Sequence, residues 1–186
     1  MKASDLFVKC LEAEGVTKIF GIPGEENADL MISLKKSKIE FVLCRHEQAA
    51  AFMADVYGRL TGKAGVCLAT LGPGVTNLMT GLADANMDRA PVVAIIGQGS
   101  TERLHKESHQ IMDSISMVAP ISKWAQTILS AKNVTEVVRK AFKVAETEKP
   151  GVTVIELPED VAKEEVNENP IKPSLIRRPA ADYRAV

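Results

Sequence analysis

Ala64-Gly65-Val66-Cys67-Leu68-Ala69-Thr70-Leu71 runs without a charge and then breaks into Gly72-Pro73-Gly74-Val75-Thr76-Asn77. A segment apolar along its whole length, not only at alternate positions, fits a parallel strand covered on both faces. Beyond the turn, Leu78, Leu82 and Ala85 continue at helical spacing until Asp88-Arg89-Ala90 closes the helix. Residues 91–97 are again apolar throughout and read as the next strand. Strand, helix and strand in this order make a βαβ unit.

The same alternation extends in both directions. Ser4 is a candidate N-cap for a helix carrying Leu6, Phe7, Cys10 and Leu11, which Gly15 stops. Residues 17–21 read as a short buried strand, followed by the turn Gly21-Ile22-Pro23-Gly24 and a helix over 27–36. Residues 39–43 form the next strand, and Arg45-His46-Glu47 opens an alanine-rich helix that ends at Thr61-Gly62. Downstream, residues 121–129 are a candidate edge strand, and Asn133 is a candidate cap for a helix over 134–148. Residues 151–157 are the last strand. From about Glu159 the texture turns polar and proline-rich, through Arg177, Arg178 and Pro179. The division expected is one domain over 1–165 and a linker over 166–186 toward a further domain. The fold class is α/β: a doubly wound, mainly parallel sheet with helices on both faces. Ligands of such folds gather at the carboxyl ends of the strands. The stretches 21–24, 45–47, 72–77 and the polar 98–114 all emerge there.

Composition removes several functions. A net charge of −1 gives no field to gather nucleic acid or an anionic membrane. One Trp, two Tyr and five Phe supply few stacking platforms for single strands. Cys10, Cys44 and Cys67 stand alone in apolar surroundings without a CxxC, as small core residues of a reducing cytoplasm. No stretch reads as a signal peptide or reaches the length of a membrane span. A cytoplasmic location is therefore expected.

The residues alone leave the chemistry open. Glu47 suits the positive end of a helix simply as a first-turn acid, or it is a reactive carboxyl at a strand-to-helix junction. The Gly72 turn lacks the third glycine of a dinucleotide fingerprint and the Lys-Ser/Thr of a Walker loop. His46-Glu47 is not a zinc helix, because position 50 is alanine. His105 and His109 are four apart, in what reads as a solvated polar loop.

Taken together, however, Phe20-Gly21-Ile22-Pro23-Gly24-Glu25, Arg45-His46-Glu47-Gln48-Ala49-Ala50 and Ala69 to Asn77 resemble the amino-terminal, pyrimidine-binding domain of thiamine-diphosphate enzymes. Within that superfamily the chain is most similar to the acetolactate (acetohydroxyacid) synthase family, a match strengthened by the segments 83–91 and 122–124. The resemblance implies condensation of two pyruvates to 2-acetolactate with loss of CO₂. The alternatives are another carboligase or 2-oxo acid decarboxylase of the superfamily, or a non-catalytic module of the same fold. By resemblance, Glu47 is the glutamate that hydrogen-bonds the pyrimidine N1′ and favours the imino tautomer that deprotonates thiazolium C2. Ile22, Pro23 and Gly24 would line the pyrimidine, with Thr70, Pro73 and Asn77 completing its cradle. Gln110 lies where the synthases have a glutamine facing the reacting centre. Its context, Ser108-His109-Gln110-Ile111-Met112-Asp113, differs from the Phe-Gln-Glu of the flavin-containing enzymes and puts bound FAD in doubt. The family holds the diphosphate through Mg²⁺ on a Gly-Asp-Gly segment of a separate domain, and no Gly-Asp-Gly occurs here. A homodimer or tetramer follows, with the cofactor shared between subunits and the Glu47 face apolar.

Overall fold

The computed structural model describes residues 1–173 and residue 184, so Arg177, Arg178 and Pro179 of the expected linker lie outside the described residues. Six strands, β1 (Lys18–Gly21), β2 (Glu40–Leu43), β3 (Gly65–Ala69), β4 (Val92–Gln98), β5 (Trp124–Thr127) and β6 (Val152–Pro158), form one sheet in the order β2-β1-β3-β4-β6-β5. Every pairing between them is parallel. The helices are α1 (Ala3–Ala13), α2 (Ala28–Leu34), α3 (Glu47–Thr61), α4 (Pro73–Met87), α5 (Ser114–Val118), α6 (Val134–Glu146) and α7 (Glu159–Lys163).

The apolar strands divide between two cores. Val66 and Leu68 of β3, Val93 and Ile95 of β4, and Ile155 of β6 pack with Leu6 and Phe7 of α1 and with Val138 and Phe142 of α6. Their neighbours Cys67, Ala69, Ala94, Ile96 and Val154 face the other way, against Ala50 and Ala54 of α3 and Leu78 and Leu82 of α4. Side chains of a strand alternate between its faces, so a run apolar at every position needs a core on each side.

The chain leaves β1 for β2 at one edge and returns to β3 on the far side of β1. The direction in which the chain adds strands to the sheet therefore reverses between β1 and β3, and in such folds the crevice for a ligand opens there. On the face that carries α3 and α4, Arg59 ties the two helices together. Its guanidinium donates to both carboxylate oxygens of buried Asp55, at 2.7 and 2.8 Å, and to Asp88 at 2.6 Å and Asp84 at 3.1 Å. Arg59→Met leaves the Asp55 carboxylate without its cation. Because the guanidinium is itself about two-fifths exposed, we expect a loss of about 1–2 kcal/mol in denaturant unfolding, below the cost of breaking a fully buried pair.

Two local expectations are corrected. Ser4 is not the cap of α1: the cap is Lys2, two residues earlier, and Ser4 is buried, accepting from the Ser33 hydroxyl at 3.1 Å. The start is set by long-range pairing, with Ala3 N–H donating to Glu164 O at 2.8 Å and an antiparallel bridge between Lys2 and Glu165. Nor does Asn133 cap α6 with its side chain, because the 3₁₀ turn Ala131–Asn133 runs straight into the helix and is capped by the Ser130 side chain. The polar texture from Glu159 begins as packed structure, since α7 buries Val161 and Ala162, and Val166 is still buried.

Candidate active site

Four segments leave the carboxyl ends of β1 to β4, and contacts between them define the site. Glu47 is the first residue of α3, capped by His46, whose Nδ1 accepts from Gln48 N–H at 3.1 Å. The Glu47 residue is 9% exposed, where the unpaired amides of a helix start favour a carboxylate. One turn into α4, Asn77 Nδ2 donates to Glu47 Oε2 at 3.0 Å. The two side chains meet because small residues let the helices approach. A Cβ on Gly81 would stand 2.6 Å from that of Ala51.

The other carboxylate oxygen, Oε1, faces Gly74, lying 3.6 Å from where a Cβ would stand there. Thr70 sits beside both, with its Cγ2 at 3.3 Å from the same point. Gly24 runs extended directly against Thr70, where any Cβ would come within 2.6 Å of the threonine Cβ. Gly72 takes φ of +54°, which spares the left-handed strain a side chain would suffer and turns the chain sharply into α4. Gln110, itself at φ of +58°, lies on that turn, with its carbonyl oxygen 2.7 Å from where a Gly72 Cβ would be.

Glu47, Gly24, Thr70 and Asn77 thus lie on one contiguous surface, and Gln110 reaches it through Gly72. Ile22 is partly buried against the α3/α4 core. Pro23 and Pro73 are exposed on their turns, Pro73 as the first residue of α4.

Sequence reasoning missed three polar residues near this surface. Glu26 Oε2 accepts from the Thr70 hydroxyl at 2.8 Å, a contact 44 residues apart that carries no sequence signal. Asn27 Oδ1 accepts from Gly24 N–H at 2.9 Å, while its buried Nδ2 lacks a partner among the described residues. Glu156 was visible as a lone acid inside an apolar strand. Burial pushes its carboxyl above the ordinary glutamate value, against the opposing pull of donors from Thr127 and Gln98.

Among the described residues no group of three or more His, Cys, Asp or Glu is placed to hold a metal ion. His105 and His109 are exposed in the loop after β4 and share no helix. The three cysteines are buried and unpaired, and burial pushes the Cys10 and Cys67 thiols up to about 12, which leaves them inert as nucleophiles. Among the described residues no helix is long and apolar enough to cross a membrane.

Residues 1–117 match the family described as thiamine pyrophosphate enzyme, N-terminal TPP binding domain. The catabolic acetolactate synthase of Raoultella terrigena is 45% identical over 158 residues, covering 85% of this chain and 28% of that protein. The acetolactate synthase of Bacillus subtilis is 39% identical over 183 residues, 97% of this chain and 32% of its own length. The large subunit of acetolactate synthase isozyme 2 of Escherichia coli is 40% identical over 161 residues, 87% of this chain and 29% of its own. The chain spans about a third or less of each relative's length. With a parallel α/β sheet and a family match over residues 1–117, the chain belongs to the thiamine pyrophosphate enzymes, as their N-terminal TPP binding domain.

Proposed function

We propose that the whole protein is an acetolactate synthase that condenses two pyruvates to 2-acetolactate and CO₂, and that these residues supply the pyrimidine half of its cofactor site. The observation that carries the reading is Glu47: buried at a helix start, held by Asn77 through one oxygen, with the other turned toward a glycine. That arrangement fits a heteroaromatic ring nitrogen, which needs a carboxyl oxygen in a dry crevice and no side chain in the way.

Thiamine diphosphate, when bound, supplies the carbanion and electron sink for decarboxylating a 2-oxo acid. In this reading Glu47 Oε1 would be the atom that shares a proton with the pyrimidine nitrogen, with Asn77 fixing the carboxyl plane through Oε2. Ile22, Pro23 and Gly24 would line the pyrimidine, and Thr70 and Pro73, on the segment against which Gly24 packs, would complete its cradle. Gln110 would face the reacting carbon, from its place against the Gly72 turn. The Mg²⁺ that binds the diphosphate is held by residues beyond this chain, and the context of Gln110 favours work without FAD. The alternatives are another carboligase or decarboxylase of the family, because acceptor choice rests largely on parts outside the chain.

The partner in assembly is a second copy. Met53, Val56 and Leu60 project from α3 at helical spacing and are 44%, 50% and 82% exposed, beside Phe52 and Phe20. A contiguous apolar strip of this kind marks a subunit contact.

The test is turnover of the full-length protein on pyruvate. We expect 2-acetolactate and CO₂ only when thiamine diphosphate and Mg²⁺ are both present, with no requirement for added FAD. Turnover of glyoxylate or another 2-oxo acid in place of pyruvate selects the alternative. The 186-residue chain alone is expected to show no turnover and only feeble cofactor binding, and tight Mg²⁺-dependent binding by calorimetry contradicts the assignment of the diphosphate site to other residues.

A further inference from the structure

The loop over residues 99–113 that carries Gln110 has one short 3₁₀ turn, Thr101–Arg103, and is largely exposed. Burial of apolar surface does not hold it in place, so polar contacts must. Those contacts converge on one side chain and one strand end. Gln98, the last residue of β4, is 1% exposed. Its Nε2 donates to Met112 O at 3.1 Å and to Glu156 Oε1 at 3.0 Å, while its Oε1 accepts from Gly99 N–H at 3.0 Å. One amide therefore joins the departing limb of the loop to the returning limb, and both to β6.

The departing limb is then fastened to the β6–α7 junction. Asp160 accepts from Thr101 N–H at 3.0 Å and from its hydroxyl at 2.5 Å. Glu159 Oε1 accepts from Ser100 N–H at 3.3 Å and from Arg103 Nη1 at 3.2 Å, and Arg103 Nε in turn donates to Ser108 Oγ at 3.1 Å. Glu156 is itself fixed by the Thr127 hydroxyl, which donates to Oε2 at 2.7 Å. At the base, Ile111 Cδ1 lies 2.4 Å from where a Cβ on Gly99 would stand, so the two limbs touch.

We propose that Gln98, braced by Glu156, and Asp160 are positioning residues that hold the Gln110 limb against the Gly72 turn and so place Gln110 over the site. This rests on the reading above that Gln110 faces the reacting carbon. Without Gln98, Met112 O loses its tie to the base of the loop two residues from Gln110, and Glu156 loses one of its donors, keeping Thr127 and Ser114. A displacement near 1 Å at a reacting centre costs roughly 10²-fold in rate.

Two variants test it. Gln98→Leu preserves volume and removes every bond of the amide; Asp160→Asn preserves shape and withdraws one acceptor from Thr101. Amide hydrogen exchange on this chain is expected to rise about tenfold or more at Gly99 and Ile111 in the first variant and at Thr101 in the second. Amides of α1 and β3 stay unchanged. In the full-length protein the Gln98→Leu variant is expected to lose at least about tenfold in kcat, with thiamine diphosphate affinity within twofold of the parent. Exchange that rises everywhere shows a general loss of stability and overturns the proposal; so does exchange unchanged in the loop, or kcat unchanged despite a loosened loop. If the parent protein has no carboligase activity but the loop loosens as described, the clamp stands and the reading of Gln110 fails.

Discussion

Replacing Glu47 with glutamine is expected to lower turnover of the full-length protein by about 10²–10⁴-fold, the range for removing a positioned acid or base. The substitution is nearly isosteric, and the amide oxygen can still accept from Asn77 Nδ2 as Oε2 does now, at 3.0 Å. What changes is the atom facing Gly74, where an oxygen that can share a proton is exchanged for one end of a neutral amide. The loss should appear in kcat, with unfolding midpoint and cofactor affinity close to those of the parent. Asn77→Ala is expected to follow in the same direction with a smaller loss, since the carboxyl remains but its plane is released. Turnover of the glutamine variant within about twofold of the parent would remove Glu47 from the reaction, and a matching collapse of the unfolding midpoint would show a structural role instead.

The largest stability effect is expected at Gly65→Val. A Cβ there would stand 2.0 Å from the carbonyl oxygen of Ala54 and 2.7 Å from its carbonyl carbon, on the backbone of α3. No rotamer relieves a clash with main chain, so either β3 or α3 must move, and α3 carries Glu47 at its head. Overpacking typically costs 1–3 kcal/mol, and the backbone location places this case at about 3 kcal/mol or above. For a chain of this size that is a fall of about 6–12 °C in Tm. Gly15→Ala is the control. It has φ of +82° with nothing within 4 Å of the added Cβ, so it bears left-handed strain alone, about 1–2 kcal/mol. A Gly65 variant no less stable than the Gly15 variant would mean that α3 is not seated on β3 as described.

Both effects depend on how far a local pattern reaches. The apolar runs ending at Leu71 and over 91–97 announced covered parallel strands, and the structure buries every residue of β3 and β4; it also buries every residue of β6, which was read only as the last strand. Period and turn chemistry are properties of a few neighbouring residues, so they survive in the sequence. Glu47 was legible locally only as an acid opening a helix, which the structure places as the buried first residue of α3; its proposed role came from the resemblance. The errors came where another contact, long-range for Ser4 and local for Asn133, overruled a residue's own preference. Ser4 is a good cap by composition, but Glu164 O and the Lys2–Glu165 bridge start the helix before it. Asn133 is a good cap as well, and a preceding 3₁₀ turn made it unnecessary.

The sequence by itself determined the α/β class and the succession of elements, because both follow from local period and turns. Only the tertiary structure decided the strand order β2-β1-β3-β4-β6-β5, the pairing of Glu47 with Asn77, the contact of Thr70 with Glu26, and the fastening of the loop after β4 by Gln98, Glu156 and Asp160. The physical reason is separation along the chain. Periodicity and turns are set by forces among adjacent residues. These polar contacts join residues 30 to 59 positions apart and exist only after both cores have packed and brought the strand ends to one edge.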